Sequence, residues 1–98
     1  MSALKKEAYQ QKIEAKIDEQ KAEVLKLKAQ IKGEKADAKL EVATMIEKAE
    51  ARLDEMKSGL GKIAEAGEDA WEDIAKGMDA AWGDISGSIQ SAWSRLRG

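Results

Sequence analysis

Apolar residues recur along the chain at helical spacing, and their rhythm changes near residue 60. Before that point the steps alternate between four and three residues, the seven-residue pattern of a left-handed coiled coil. We name these positions the coiled-coil seam: Val42, Ile46, Ala49, Leu53, Met56, Leu60 and Ile63. The same rhythm occurs upstream at Ile17, Val24, Leu27 and Ile31, with the polar Gln20 at one seam position.

After Leu60 the apolar steps become three, four and four, which is an eleven-residue repeat. Three segments begin with Ala-Trp and end in Ile or Leu: residues 70–74, 81–85 and 92–96. Eleven residues make three helical turns plus about 20°, so the apolar stripe runs almost straight along a helix. We name this stripe the interaction face, and it comprises Trp71, Ile74, Met78, Trp82, Ile85, Ile89, Trp93 and Leu96.

Local propensity predicts helix almost throughout, because residues 3–57 are rich in Ala, Lys, Glu, Gln and Leu and the chain has no proline. Gly33 is the one glycine before Ser58, and its neighbours are good helix formers. We therefore favour a continuous helix there over a hairpin, which stays as the alternative. The predicted fold is all-α, with a long charged helix bearing the seam over 1–57, a glycine-containing hinge or turn over 58–67 and a Trp-repeat amphipathic helix over 68–98.

The segment Ala70-Trp71-Glu72-Asp73-Ile74-Ala75-Lys76-Gly77, followed by Ala80-Ala81-Trp82, resembles a family of small bacterial coiled-coil proteins labelled as stress-response proteins. Lys35-Ala36-Asp37-Ala38-Lys39 is part of the same resemblance. The resemblance implies a cytosolic, helical, non-enzymatic protein, and it supplies no catalytic residues. Gly59, Gly61 and the third repeat with Trp93 depart from the commoner pattern of that family.

The composition argues against most kinds of enzyme active site. The chain has no His and no Cys, so it lacks the usual general base, the thiolate nucleophile and the commonest metal ligands. It also shows no Gly-rich phosphate loop, and its acidic residues after Glu68 lack the spacing of a calcium loop. We therefore predict no enzyme activity, no cofactor, no metal site and no small-molecule substrate.

Charge and hydropathy limit the partners. Lys and Arg number 17 against 19 Asp and Glu, and no segment concentrates the positive charge that nucleic-acid binding requires. The start of the chain has no apolar run of signal-peptide length, and no stretch resembles a spanning helix. We expect a cytoplasmic protein that does not bind nucleic acid.

An amphipathic helix needs something to cover its apolar stripe, either the same chain folded back or other copies. The favoured function is non-enzymatic self-association, in which the seam and the interaction face build a homo-oligomer or a filament. Like-charged pairs four residues apart, such as Lys28 with Lys32 and Glu50 with Asp54, would then face opposite charges on a neighbouring helix. The alternative is a peripheral lipid-surface protein whose C-terminal helix lies in the headgroup region, with a Ser/Gly-rich polar face.

Overall fold

The computed structural model describes residues 2–97, which form three helices joined by two short turns. The helices are α1 (Ser2–Ile31), α2 (Ala36–Glu65) and α3 (Ala70–Arg97), with 30, 30 and 28 residues. The all-α prediction is confirmed, since more than four-fifths of the chain is helical.

The helices run up, down and up in a slender bundle of 51 × 18 × 17 Å. Lys6, near the start of α1, donates a 2.9 Å hydrogen bond to the carbonyl oxygen of Ala66, just beyond the end of α2. Arg95, near the end of α3, pairs with Glu41 at the start of α2. Each contact joins the start of one helix to the end of another, so α2 is antiparallel to both neighbours.

The first turn lies at residues 32–35, where the sequence favours continuous helix. The amide of Gly33 donates to the Gln30 carbonyl at 3.4 Å, and the amide of Glu34 donates to the Ile31 carbonyl at 3.1 Å. Lys35 is extended (φ −67°, ψ 156°) and makes no side-chain cap. The prediction of one long helix over 1–57 is therefore wrong, and the hairpin at Gly33 is what the chain forms.

The second turn lies at residues 66–69, later than most of the predicted hinge over 58–67. Ser58, Gly59, Leu60 and Gly61 are all helical and belong to α2. Gly59 is buried there, and a Cβ on it would lie 2.8 Å from the Met78 sulfur of α3. The glycine at position 59 therefore serves close helix packing, and the chain reverses only at Ala66 and Gly67.

The core is a single apolar cluster that runs the length of the bundle. Its deepest large side chains are Ile13 and Leu27 from α1, Met56 and Ile63 from α2 and Ile85 from α3. None of the described residues with a polar or charged side chain is buried. Burial of a side chain of this size contributes roughly 1.5–3 kcal/mol, so the apolar stripes are the main source of stability.

Candidate functional site: the α1 and α3 interface

Three side chains of α1 contact the three tryptophans of α3. Tyr9, Lys16 and Glu23 follow one another at seven-residue spacing, whereas the tryptophans follow at eleven. Residue numbers rise in the same direction along both helices of the pairs, as they must when α1 and α3 are parallel. We name these contacts the indole row, and its pairs are Tyr9 with Trp71, Lys16 with Trp82 and Glu23 with Trp93.

Tyr9 and Trp71 form the most buried pair of the indole row. Their ring centroids lie 5.8 Å apart with the planes tilted by 44°, within the range of favourable aromatic pairs. The Tyr9 hydroxyl lies 3.0 Å from both the Ala75 carbonyl oxygen and a carboxylate oxygen of Asp79, and it donates its proton toward them. Burial, followed by the hydrogen bond and the charge of Asp79, raises the pKa of Tyr9 well above its usual value.

The other two pairs use charged side chains to cover an indole. The Lys16 ammonium lies 4.6 Å from the centroid of the Trp82 ring, which is a cation–π contact. The indole N–H of Trp93 donates to a carboxylate oxygen of Glu23 at 3.1 Å. These polar groups therefore hold the edge of α1 against α3 in a defined register.

The predicted interaction face lies inside the bundle. Trp71, Met78, Ile85 and Ile89 are buried, whereas Ile74, Trp82, Trp93 and Leu96 are partly buried and pack against the core. The buried line of α3 also includes Ala75, Ala81 and Ala92, which the sequence places outside the face. Alanines leave room for α2 to approach α3 closely, and the indoles at 82 and 93 therefore stand at the edge toward α1.

The coiled-coil seam also faces the core. Val42, Ile46, Ala49, Leu53, Met56 and Ile63 are buried, and Leu60 is partly buried against them. Seam and interaction face thus meet in one chain, and α1 covers both. The surfaces that the sequence offers for association are the interior of the folded bundle.

The charged clusters of α1 divide between two kinds of contact. Lys28 pairs with Glu50 of α2 at 2.8 Å, as expected for opposite clusters on neighbouring helices. Lys16 and Glu23 instead contact indoles. Exposed ion pairs contribute little to stability, so we regard the charges as setting register rather than supplying folding energy.

A shallow groove of about 250 Å³ lies between α1 and α2 and is lined in part by Val24, Leu25 and Leu53. Its rim holds lysines and carboxylates together, including Lys21, Lys57 and Asp54. The nearby amine of Lys57 lowers the pKa of Lys21, because two adjacent ammonium groups repel each other. Because its rim carries both positive and negative groups, the groove favours neither an anionic nor a cationic ligand.

Within residues 2–97, no group of three acidic side chains is placed to hold a metal ion. None of the described helices is long and apolar enough to cross a bilayer.

Sequence reasoning missed the α1 half of the indole row. Lys16 and Glu23 each precede a buried residue, Ile17 and Val24, and so flank the stripe like other solvent-facing charges. Their seven-residue spacing with Tyr9 is the signal that could have identified them.

Comparison of the chain with models of known protein families gave no match, and neither did comparison with curated proteins or with solved structures.

Proposed function

We propose that this protein is a non-enzymatic helical protein that works by self-association in the cytoplasm. The observation that carries the proposal is the nature of the core: the seam and the interaction face pack in one apolar cluster with the apolar stripe of α1. A stress-related role, which the family resemblance implies, is part of the proposal.

The outer surface of the bundle has little apolar area for association, so a stable complex must use the seam and the interaction face. Its exposed large apolar side chains are Leu4, Leu25 and Leu40, at 66–68% exposure. Leu4 and Leu40 stand near the starts of different helices, and single exposed leucines are ordinary on a protein surface. The faces that can bury enough area for a stable complex are therefore those of the core, and copies associate by supplying helices to one another.

The α1 helix is the natural one to be supplied by another copy. Its contacts with α3 include the indole row, whereas α2 and α3 pack closely along their length. An α1 helix from a second copy carries the same Tyr9, Lys16 and Glu23 and satisfies the same three indoles. Association of this kind preserves the helix–helix contacts of the closed bundle and changes the turn at residues 32–35.

Sedimentation equilibrium of the full chain, without lipid, from about 1 µM to 1 mM tests the proposal. We expect the average mass to rise with concentration from the 10.7 kDa of the single chain. A mass that stays at 10.7 kDa over the whole range would contradict self-association.

Lipid-surface binding is the second candidate, and one observation favours it. The outward face of α3 is built from small residues, with Gly83, Gly87, Ser91 and Ser94 exposed, as in helices that sense lipid-packing defects. Lipid binding would require the interaction face to leave the core. Co-flotation with anionic vesicles and a blue shift of indole emission on their addition would support this candidate, and unchanged emission would reject it.

A further inference from the structure

If α1 and α2 were joined into a single straight helix, their apolar stripes would lie on the same side of it. Eighteen residues make five whole turns of an α-helix, and thirty-six make ten. Val24 and Val42 are eighteen apart, and Leu27 and Ile63 are thirty-six apart, and all four are buried. At about 100° per residue, the other buried apolar side chains of both helices fall within the same arc of about 100°, and the buried Gly59 lies about 40° outside it.

The hairpin does not require this agreement. In a hairpin each helix can rotate about its own axis until its stripe faces the core. The angle between the two stripes, measured around a common helix axis, is therefore free. A continuous helix does require it, because a stripe that changed direction at residue 33 would leave one half facing solvent. The shared direction of the two stripes is therefore what a continuous helix needs, and the hairpin is equally compatible with it.

The turn at residues 32–35 holds the hairpin weakly. None of its residues has a positive φ, and a Cβ on Gly33 would meet no atom within 4 Å. Two backbone hydrogen bonds close the turn, and Lys35 adds no side-chain cap. Apart from Gly33 its residues are good helix formers, so straightening the turn gains regular helical hydrogen bonds.

We propose that the turn at residues 32–35 is a hinge that straightens, so that α1 and α2 become one helix and α1 packs on α2 and α3 of a second copy. The partner is a second copy of this chain, and the inference rests on the proposed self-association. Two such helices of 64 residues, about 96 Å long, lie antiparallel, and each end of the dimer repeats the three-helix bundle. The indole row then forms between copies.

Three substitutions separate this dimer from other dimers. Gly33→Ala favours the straight helix and should raise the association constant about twentyfold, since each of two chains loses one helix-breaking glycine. Gly61→Ala is the matched control: Gly61 is helical, a Cβ on it meets no atom within 4 Å, and it lies in α2 in both forms. It should leave the association constant within about twofold.

Ala36→Pro acts in the opposite direction. Ala36 is the first residue of α2, where proline fits, and the preceding Lys35 already has the extended backbone that proline requires. In the straight helix the same proline lies in the interior, where it clashes with the preceding turn and removes a hydrogen bond. The variant should fold as the bundle with an association constant at least a thousandfold lower.

Cross-linking identifies which chain supplies α1, because the protein has no cysteine of its own. Lys28→Cys with Glu50→Cys places two thiols on side chains that pair across α1 and α2. A short bismaleimide joins them within one chain in the bundle and between two chains in the proposed dimer. The control pair, Arg52→Cys with Asp84→Cys, joins α2 to α3 and should link within one chain in both forms.

Each outcome decides one of the two claims. Interchain links for the first pair only, with dimers lost in Ala36→Pro, support the hinge. Dimers that persist in Ala36→Pro, with both pairs linked within chains, overturn the hinge and leave self-association standing. Interchain links in Gly33→Ala alone, beside a monomeric parent, support the hinge and overturn the proposed function. Monomers in every variant overturn both.

Discussion

Trp71 shows how a single residue is placed by burial rather than by hydrogen bonding. It is 6% exposed and packs on Tyr9, yet its indole N–H, alone among the buried side-chain nitrogens and oxygens of the described residues, has no acceptor. An unmade hydrogen bond costs about 1–3 kcal/mol, and the large apolar area of the ring offsets that cost. The partly buried Trp82 and Trp93 instead reach polar partners at the edge.

Tyr9 gives a prediction specific to one residue. It is the only tyrosine, so an absorbance titration near 295 nm follows its ionisation alone. Because its folded pKa is raised, the folded chain retains the phenolic proton above pH 10, where the unfolded chain releases it. We expect the ionisation midpoint of the native protein to lie above that of the protein in urea.

The same linkage predicts alkaline loss of stability. The contribution of Tyr9 is fully present below pH 10 and is lost as the pH rises further. Tyr9→Phe should be about 0.5–1.5 kcal/mol less stable than the parent at pH 7, and this gap should shrink above pH 10. Equal ionisation midpoints in native and urea-unfolded protein would show that Asp79 and burial do not act on Tyr9 as described.

At the scale of the elements, the residues picked out by hydrophobic spacing pack in the core, whereas local propensity misplaced the ends of the helices. The apolar stripes over Val42–Ile63 and over Trp71–Leu96 lie in the core, as packing surfaces should. The turn at residues 32–35 could not be read locally, because only Gly33 disfavours helix and the gain from covering both stripes with α1 outweighs that preference. The α1 side of the indole row was not predicted, because Lys16 and Glu23 have the sequence pattern of solvent-facing residues.

Gly59 and Gly61, two of the three glycines of the predicted hinge, give a matched test of helix packing. Gly61→Ala should raise the free energy of unfolding by about 0.5–1 kcal/mol, because alanine is the better helix former and no neighbouring atom is touched. Gly59→Ala gains the same propensity but must displace the Met78 side chain, a strain of about 1–3 kcal/mol. Urea denaturation of both variants measures the difference.

A result in which both variants gain equally would mean that Met78 moves aside without strain. A result in which both lose stability would mean that residues 58–61 act as a flexible hinge, as the sequence suggested.

For the whole molecule, the central claim is that one set of apolar faces builds either a closed bundle or an exchanged dimer. In this proposal the two forms share their helix–helix contacts and differ at residues 32–35, so concentration and the turn would set the balance between them. They differ greatly in length: the bundle measures 51 Å along its axis, and the exchanged dimer about 96 Å.

Small-angle X-ray scattering of the full chain over a concentration series tests this claim most directly. At low concentration we expect a maximum dimension near the 51 Å of the bundle. As the average mass doubles, the maximum dimension should rise to about 100 Å with no change in the cross-section of one three-helix bundle. A doubling of mass that thickens the particle while its length stays near 51 Å would contradict the account, because whole bundles would then be pairing side by side.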